Sequence, residues 1–451
     1  MAISNTAQTK PALKSKKVKA VATQDSPVYE EISVVSVRDR YNNYPSEGLT
    51  LEKLSRIFKE ADAGNISRQA ELFSEIEEKD SHLGSILQIR KAQVARLGWE
   101  ILPASDSQQD IQIAQSTKVM FDYIENFEDA LMDMLDAIGK GFSVVEILWG
   151  VSDPRRKGQV YIDNLKWVDQ KRFTFFSKDG ILPLPNLITD DEPVYGEMLP
   201  ANKFVIHRYR SRSGILPRAG LLRPCAYMYL FKSYGIKDWV VFNELFSVPM
   251  RIGKYKSGAG KGEIEALKQA VFNLSVDSAA VISDNTLIEL LESKINGNSS
   301  AFNDFISFCD KSMTKAILGH TAAVESMQGK LGSEQEAQNV RQDLLESDAT
   351  ALAKTIKTYI ITPWVKFNFG PNIGIPKFRF NFEDKDDLVK TANTYKTLVD
   401  MGFTGISTNH IYEKFGIPKP LDGEKTLGTK TPNPALEAQP PISDVVKEVK
   451  Q

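Results

Sequence analysis

The sequence predicts an α+β fold, on three observations. Before residue 160, stretches of helical periodicity alternate with short apolar strands; from Val160 to Arg210 the pattern becomes strand, turn, strand; beyond Arg218 long helical runs enclose one compact insertion. At 451 residues with 42% hydrophobic content, the chain can bury the cores of several structural units. A formal net charge of -2 and a pI near 6.2 exclude a protein that coats DNA through bulk basic excess and leave only local or transient nucleic-acid contact. Cys225 and Cys309 fall within apolar helical patterns, where a free thiol acts as a small buried hydrophobe; there is no disulfide framework, which fits a reducing cytoplasm.

Lys10, Lys14, Lys16, Lys17 and Lys19 are not followed by an apolar stretch, so the N-terminus reads as a flexible basic arm over residues 1–47 and not as a secretory signal. Leu51, Leu54, Ile57 and Phe58 then stand at helical spacing behind a Thr50 cap. A second helix covers Ser67 to Glu77 and a third Asp80 to Leu97, ended by Gly98 before a strand from Trp99 to Leu102. The same order recurs: helix from Ile111 to Tyr123, helix from Phe127 to Gly139, then Gly141 and a strand from Ser143 to Trp149. VYIDNLKWVD, RFTFFS, ILPLP and KFVIHRYR read as strands, with Lys178-Asp179-Gly180 as a hairpin turn.

From Leu221 to Phe246, 17 of 26 residues are hydrophobic, too many for a surface helix, yet Arg223, Lys232, Lys237, Asp238 and Glu244 interrupt the run before it reaches a bilayer span of about 20 residues. On a helical wheel Ser233, Lys237 and Glu244 form one polar stripe and Lys232 and Asn243 another, with apolar surface between them, so the helix is expected to have neighbours on more than one flank. After it come an extended Pro249 to Tyr255, a glycine loop, a short helix near Ile264, and strand-like pieces Ala279 to Ile282 and Thr286 to Leu291 around Ser283-Asp284-Asn285. A second long helix runs from near Ser300 to Gly319. Ser333 to Glu336 is a capping box that opens a third, which Pro363 is expected to end. Phe378 to Phe382 reads as a strand, Leu388 to Val399 as a helix, and Ser407 as the cap of a short one. Residues 426–451 read as a tail.

Chemical motifs give little. Gly258 to Gly262 lacks the first glycine and the hydroxyl of a phosphate-binding loop and reads as a flexible turn. His82, His207, His320 and His410 have no partner at metal-ligand spacing, and the acidic clusters at residues 190–192 and 383–387 have no accompanying Lys or His pattern. His207, Arg208, Arg210, Arg212, Arg218 and Arg223, with Tyr209 among them, fit a modest phosphate patch or ordinary salt bridges equally well.

Several pieces carry a resemblance: Asp80-Ser-His82 with Arg90-Lys91 and Gly98-Trp99; Asp136 through Gly141-Phe142 to Glu146 and Trp149; Ile206-His207; Phe231-Lys232; Trp239 to Glu244; Val248-Pro249 through Tyr255; Leu318-Gly319-His320-Thr321; and Gly332-Ser333. In that order, over roughly residues 50 to 420, the chain resembles the portal proteins of tailed bacteriophages in their Mu-type branch. His320 departs from the polar amide expected after the glycine. The resemblance implies the phage portal fold: a wing over 48–215, a stem helix over 216–248, a clip over 249–299, a second stem helix over 300–318, a tunnel loop over 319–332, and a long helix with wing return and small crown over 333–425. It further implies a homo-oligomeric ring, usually of twelve subunits, at one vertex of the capsid. The expected partners are the major capsid protein, the terminase large subunit, head-completion or neck proteins, and double-stranded DNA passing through the channel, with no cofactor, metal, catalytic residue or membrane.

On that plan His320, Met327, Gln328, Lys330 and Leu331 face the DNA. Tyr229, Phe231, Val240, Phe242, Phe305 and Ile306 pack the stem and its subunit contacts, and Arg251, Lys254, Tyr255 and Lys256 dock clip partners. The expected place is the virion, after assembly in the host bacterial cytoplasm. Two other readings compete: a nucleotide-dependent or nuclease enzyme of a mobile element, which ATP hydrolysis by the purified protein would support, and a scaffold or adaptor that forms no ring. Lys330 is the one cation in the proposed tunnel loop, so Lys330→Glu is expected to lower the amount of DNA packaged; packaging unchanged in that variant removes the contact.

Overall fold

The computed structural model describes residues 26–34, 40, 43–150, 159–247, 251–255, 257–273, 279–283, 298–321, 331–382, 388–403, 405, 407–415 and 417. The chain divides into a unit of residues 1–382 and a unit of residues 383–451. In the first, Thr50 caps helix α1 (Leu51–Asp62), its hydroxyl accepting from the Lys53 amide at 3.2 Å, and Leu54, Ile57, Phe58 and Ala61 form the buried face. After α2 (Ser67–Lys79), the Asp80 carboxylate caps α3 (Ser81–Ala95), accepting from the amides of His82 and Leu83. Strand β1 (Trp99–Leu102) has the expected bounds, and its partner comes from far along the chain: β10 (Lys377–Phe380), antiparallel, with Trp99 opposite Phe380.

Helices α4 (Gln108–Asp122), α5 (Phe127–Leu135) and α6 (Ala137–Lys140) lead into β2 (Phe142–Gly150) through Gly141. Gly141 has φ +94, and a Cβ there would lie 2.2 Å from the Leu216 carbonyl oxygen, so only glycine fits the turn. β2 is the centre of a three-stranded antiparallel sheet between β3 (Tyr161–Val168) and β7 (Phe204–Arg208). It is buried almost throughout, which is why it reads as a continuous apolar run. A second sheet holds β4 (Phe173–Ser177), β5 (Gly180–Leu187) and β6 (Glu197–Met198); Ser177 pairs with Gly180, leaving Lys178-Asp179 as the two-residue loop of the expected hairpin.

Within the expected N-terminal arm, residues 26–34 lie against this unit. Glu146 on β2 accepts the amides of Ile32 and Ser33 at 2.7 and 2.8 Å and pairs with Lys203 at 3.2 Å, both charged side chains being fully buried. Arg172 donates to the Val34 carbonyl at 3.1 Å. A buried carboxylate recognising two consecutive amides leaves no hydropathy signal in the segment it holds.

Beyond the sheets run α7 (Leu222–Ser247), β8 (Arg251–Tyr255), α8 (Lys261–Asn273), β9 (Ala279–Ser283) and α9 (Asn298–Leu318). β9 pairs with β8, in parallel, across the α8 connection. The second strand expected in the insertion, Thr286 to Leu291, lies outside the described residues, as do 322–330. Helix α10 (Leu331–Ile356) begins two residues before the Ser333 capping box, so Ser333 is inside the helix and not its cap. Pro363 does not end the helical run either. A π-helical turn at Lys357–Ile361 carries it into α11 (Thr362–Phe369), and the Thr362 hydroxyl donates to the Lys357 carbonyl at 2.8 Å. The wider turn makes room for the proline ring, and the hydroxyl satisfies a carbonyl at the change of geometry. The other unit contains α12 (Leu388–Asp400) and α13 (Thr408–Lys414), joined by a 3.0 Å contact between the Tyr395 hydroxyl and His410 Nε2.

Two buried groups give opposed pH responses. Burial, aided by the charge of Arg208, pushes the His207 imidazole down from 6.5 to about 4, and its Nδ1 lies 2.9 Å from the Thr355 hydroxyl. Between those values the unfolded chain binds a proton that the folded chain refuses, so acidification removes stability, in full about 3 kcal/mol. Burial, then Asp136 and Asp129, push the Asp133 carboxyl up from 3.8 to about 6. Here the folded chain holds the extra proton, so acidification adds stability over that window. Relative to wild type, Asp133→Asn is expected to lose stability more steeply from about pH 7 to about pH 4.5, and His207→Gln less steeply; urea unfolding across that range checks both slopes.

Candidate functional site

The longest uninterrupted helix contact is the antiparallel pair α7 and α9. Lys232 meets Asp310, Gly235 lies against Phe305, and Trp239 and Phe242 both meet the Phe302 ring, at centroid distances of 6.4 and 5.6 Å. The α7 positions 232, 235, 239 and 242 are spaced by three and four residues and so form one seam. A Cβ on Gly235 would lie 2.9 Å from the Phe305 ring, so the absent side chain is what admits that ring.

At the inner end the seam closes on charge. Lys232 Nζ contacts both Asp80 carboxylate oxygens at 3.0 Å and Asp310 at 2.7 Å. His82 Nε2 lies 2.8 Å from the Thr314 hydroxyl and 3.1 Å from the Asp310 carbonyl. Burial alone would lower the Lys232 pKa, but its hydrogen bonds to Asp310 and Asp80 more than offset this and raise it. Asp80 thus caps α3 and anchors α7 at once. One helical face further along α3, Arg90 forks onto Asp348 of α10 at 2.8 and 3.2 Å, donates to the Ile317 carbonyl at the end of α9, and reaches the Tyr209 hydroxyl at 3.1 Å. Four segments distant in sequence converge on this guanidinium.

The outer flanks of the pair are apolar and uncovered. Val240 is 51% exposed and Phe308 59%, and Ile236, Val241 and Phe305 are also exposed. Five such side chains on one helix pair exceed what isolated surface hydrophobes explain.

The expected site residues divide accordingly. Tyr229 is half-buried and packs on the main core, and Phe231, Phe242 and Ile306 are half-buried, while Val240 and Phe305 are exposed. Arg251 and Lys254 lie in β8 with Tyr255, which is half-buried; Lys256 is outside the described residues. His320 is half-buried, Leu331 opens α10, and Met327, Gln328 and Lys330 are outside the described residues. Of the basic cluster, Arg223 pairs with Asp62 at 2.7 Å and Arg218 approaches it at 3.7 Å, whereas Arg208, Arg210 and Arg212 are exposed. Asp310 and Asp348 were not singled out from sequence; a lone Lys232 within an apolar helix was the available signal that buried carboxylates must face it. Among the described residues no helix is long and apolar enough to cross a membrane, and no group of three His, Cys, Asp or Glu is placed to hold a metal.

The family described as the portal protein of Mu bacteriophage matches residues 70–417, from α2 to the end of the second unit's helices. The chain belongs to the Mu portal protein family. It is 29% identical over 423 residues to Mu-like prophage FluMu protein gp29 of Haemophilus influenzae, covering 91% of this chain and 78% of that relative. With the portal protein of Escherichia phage Mu it shares 29% identity over 403 residues, covering 86% and 75%. Among solved structures, a chain in the virion of a native gene transfer agent particle aligns with TM-score 0.49 at 10% identity, over 78% of this chain and 94% of that one. An HK97 family phage portal protein from Corynebacterium diphtheriae gives 0.36 at 7%, over 68% and 93%. Membership of the Mu portal family makes this a structural portal protein, and these relatives lend no support to the enzyme or adaptor readings.

Proposed function

We propose that the chain closes into a ring of twelve subunits at one capsid vertex and conducts double-stranded DNA during packaging and ejection. The observation that carries this reading is the apolar surface on both flanks of the α7 and α9 pair: a helix pair with its seam satisfied internally and its sides bare is suited to pack against copies of itself around an axis. On this reading α7 and α9 are the stem, the sheets and helices before residue 216 the wing, the β8-α8-β9 insertion the clip, and residues 319–332 the tunnel loop. The clip would dock the terminase large subunit and later the neck proteins, the wing would meet the major capsid protein, and the protein would do no chemistry of its own. Assembly would take place in the host cytoplasm before the ring enters the virion. Native mass measurement with negative-stain microscopy tests it: closed twelve-subunit rings with a central hole are expected, and a chain that stays monomeric both alone and in the presence of capsid protein overturns it.

A further inference from the structure

Arg208, Arg210 and Arg212 were singled out by sequence and are not absorbed by the stem, the clip or the core. All three are exposed, and among the described residues none has a carboxylate partner, in contrast to Arg218 and Arg223, which share Asp62. Their backbone, however, is firmly held. Arg208 ends β7 opposite Phe142, the Tyr209 amide donates to the Gly141 carbonyl at 3.0 Å, the Tyr209 hydroxyl accepts from Arg90 at 3.1 Å, and the Ser211 hydroxyl donates to the Ala219 carbonyl at 2.6 Å. Because Tyr209 points inward to Arg90, strand alternation directs Arg208 and Arg210 to the opposite side, and Arg212 follows in the bend. The fold therefore fixes the backbone beneath three adjacent guanidinium groups without supplying a counter-charge, an arrangement that is repulsive until a polyanion arrives.

We infer that the Arg208–Arg212 segment is a contact site for the phosphodiester backbone of double-stranded DNA, distinct from the expected tunnel-loop contact. Spacing favours this polyanion over an acidic protein surface: alternate residues of an extended chain stand about 6.7 Å apart, close to the advance of two phosphates along one strand at about 3.4 Å each. Guanidinium groups also suit phosphate oxygens, which they can bind in a bidentate fork. Contact of this kind is independent of base sequence, as a protein that handles a whole genome requires.

This inference rests on the reading that the assembled chain handles DNA, and the test separates the two. Intact rings of wild type, of the triple variant R208Q/R210Q/R212Q and of R208K/R210K/R212K, each verified by native mass, are titrated with a mixed-sequence DNA duplex at several salt concentrations. The glutamine variant is expected to bind about tenfold or more weakly, with the slope of log affinity against log salt flattened by about 2.7, the value for three phosphate contacts. The lysine variant is expected to keep most of that slope. Wild-type rings that bind DNA with the same slope as the glutamine variant overturn the site and leave the portal reading intact. A glutamine variant that fails to form rings while its unassembled chain binds DNA like wild type shows that the arginines serve a subunit or capsid contact, which also overturns it. Wild-type rings with no DNA affinity at all overturn the site as well, and the absence of rings in wild type overturns the reading beneath it.

Discussion

Val240→Asp is expected to abolish ring assembly while leaving the unassembled chain folded. In the single chain Val240 is 51% exposed, one turn from exposed Ile236 and off the seam that meets α9. A carboxylate there stays in water, so the cost to the folded subunit is about 0.5 kcal/mol or less, as for ordinary surface changes. In a closed ring the same side chain enters an apolar contact in every subunit, and burying an unpaired charge costs several kcal/mol each time, about enough to defeat association. Native mass should show monomer, with a thermal transition within a few degrees of wild type. Rings of normal stability in this variant place the subunit contact elsewhere. Tyr229 and Phe242 do not share this behaviour, although from sequence they stood with Val240. Tyr229 packs on the main core and Phe242 on Phe302, so charge at either should also lower the melting temperature of the single chain.

What the sequence made legible and what it hid differ by range. Thr50 and Asp80 as caps, Trp99–Leu102 as a strand and Lys178-Asp179 as a hairpin loop are set by neighbours within a few residues, and the structure has them where the sequence puts them. The helix pair was legible because an apolar run broken by single charges has few places to go. The pairing of β1 with β10 and the parallel pairing of β8 with β9 join segments whose local patterns are satisfied by many partners, so no local signal selects one. Ser333 and Pro363 misled for a related reason. A capping box and a proline state local preferences, and the packing of α10 against α3, with Arg90 on Asp348, outweighs both. The family resemblance included Asp80, His82 and Arg90, but their work, fastening the first helices to the helix pair, is visible only once Asp310 and Asp348 stand beside them.

Glu146→Ala should be among the most destabilising single changes in the sheet unit. Its carboxylate is fully buried, is the ionic partner of the equally buried Lys203, and accepts the amides of Ile32 and Ser33 together with the Ser33 hydroxyl. Burial already pulls the Lys203 pKa down further than Glu146 holds it up, so the ammonium depends on that carboxylate. Its removal leaves Lys203 charged in an apolar setting or forces it to release a proton, and strands two backbone donors; breaking a buried pair from one side costs about 3–5 kcal/mol. The double variant Glu146→Leu with Lys203→Met removes both charges and is expected to recover much of that loss, since an apolar pair of similar volume needs no solvation. The N-terminal strap should respond differently. No apolar side chain can accept the amides of Ile32 and Ser33, so residues 26–34 should be cut readily by protease in both variants, while urea unfolding places the double variant well above the single one. If the double variant is as unstable as Glu146→Ala, the strap and not the ion pair holds most of the energy; if protease leaves the segment intact, Arg172 and the remaining contacts suffice to seat it.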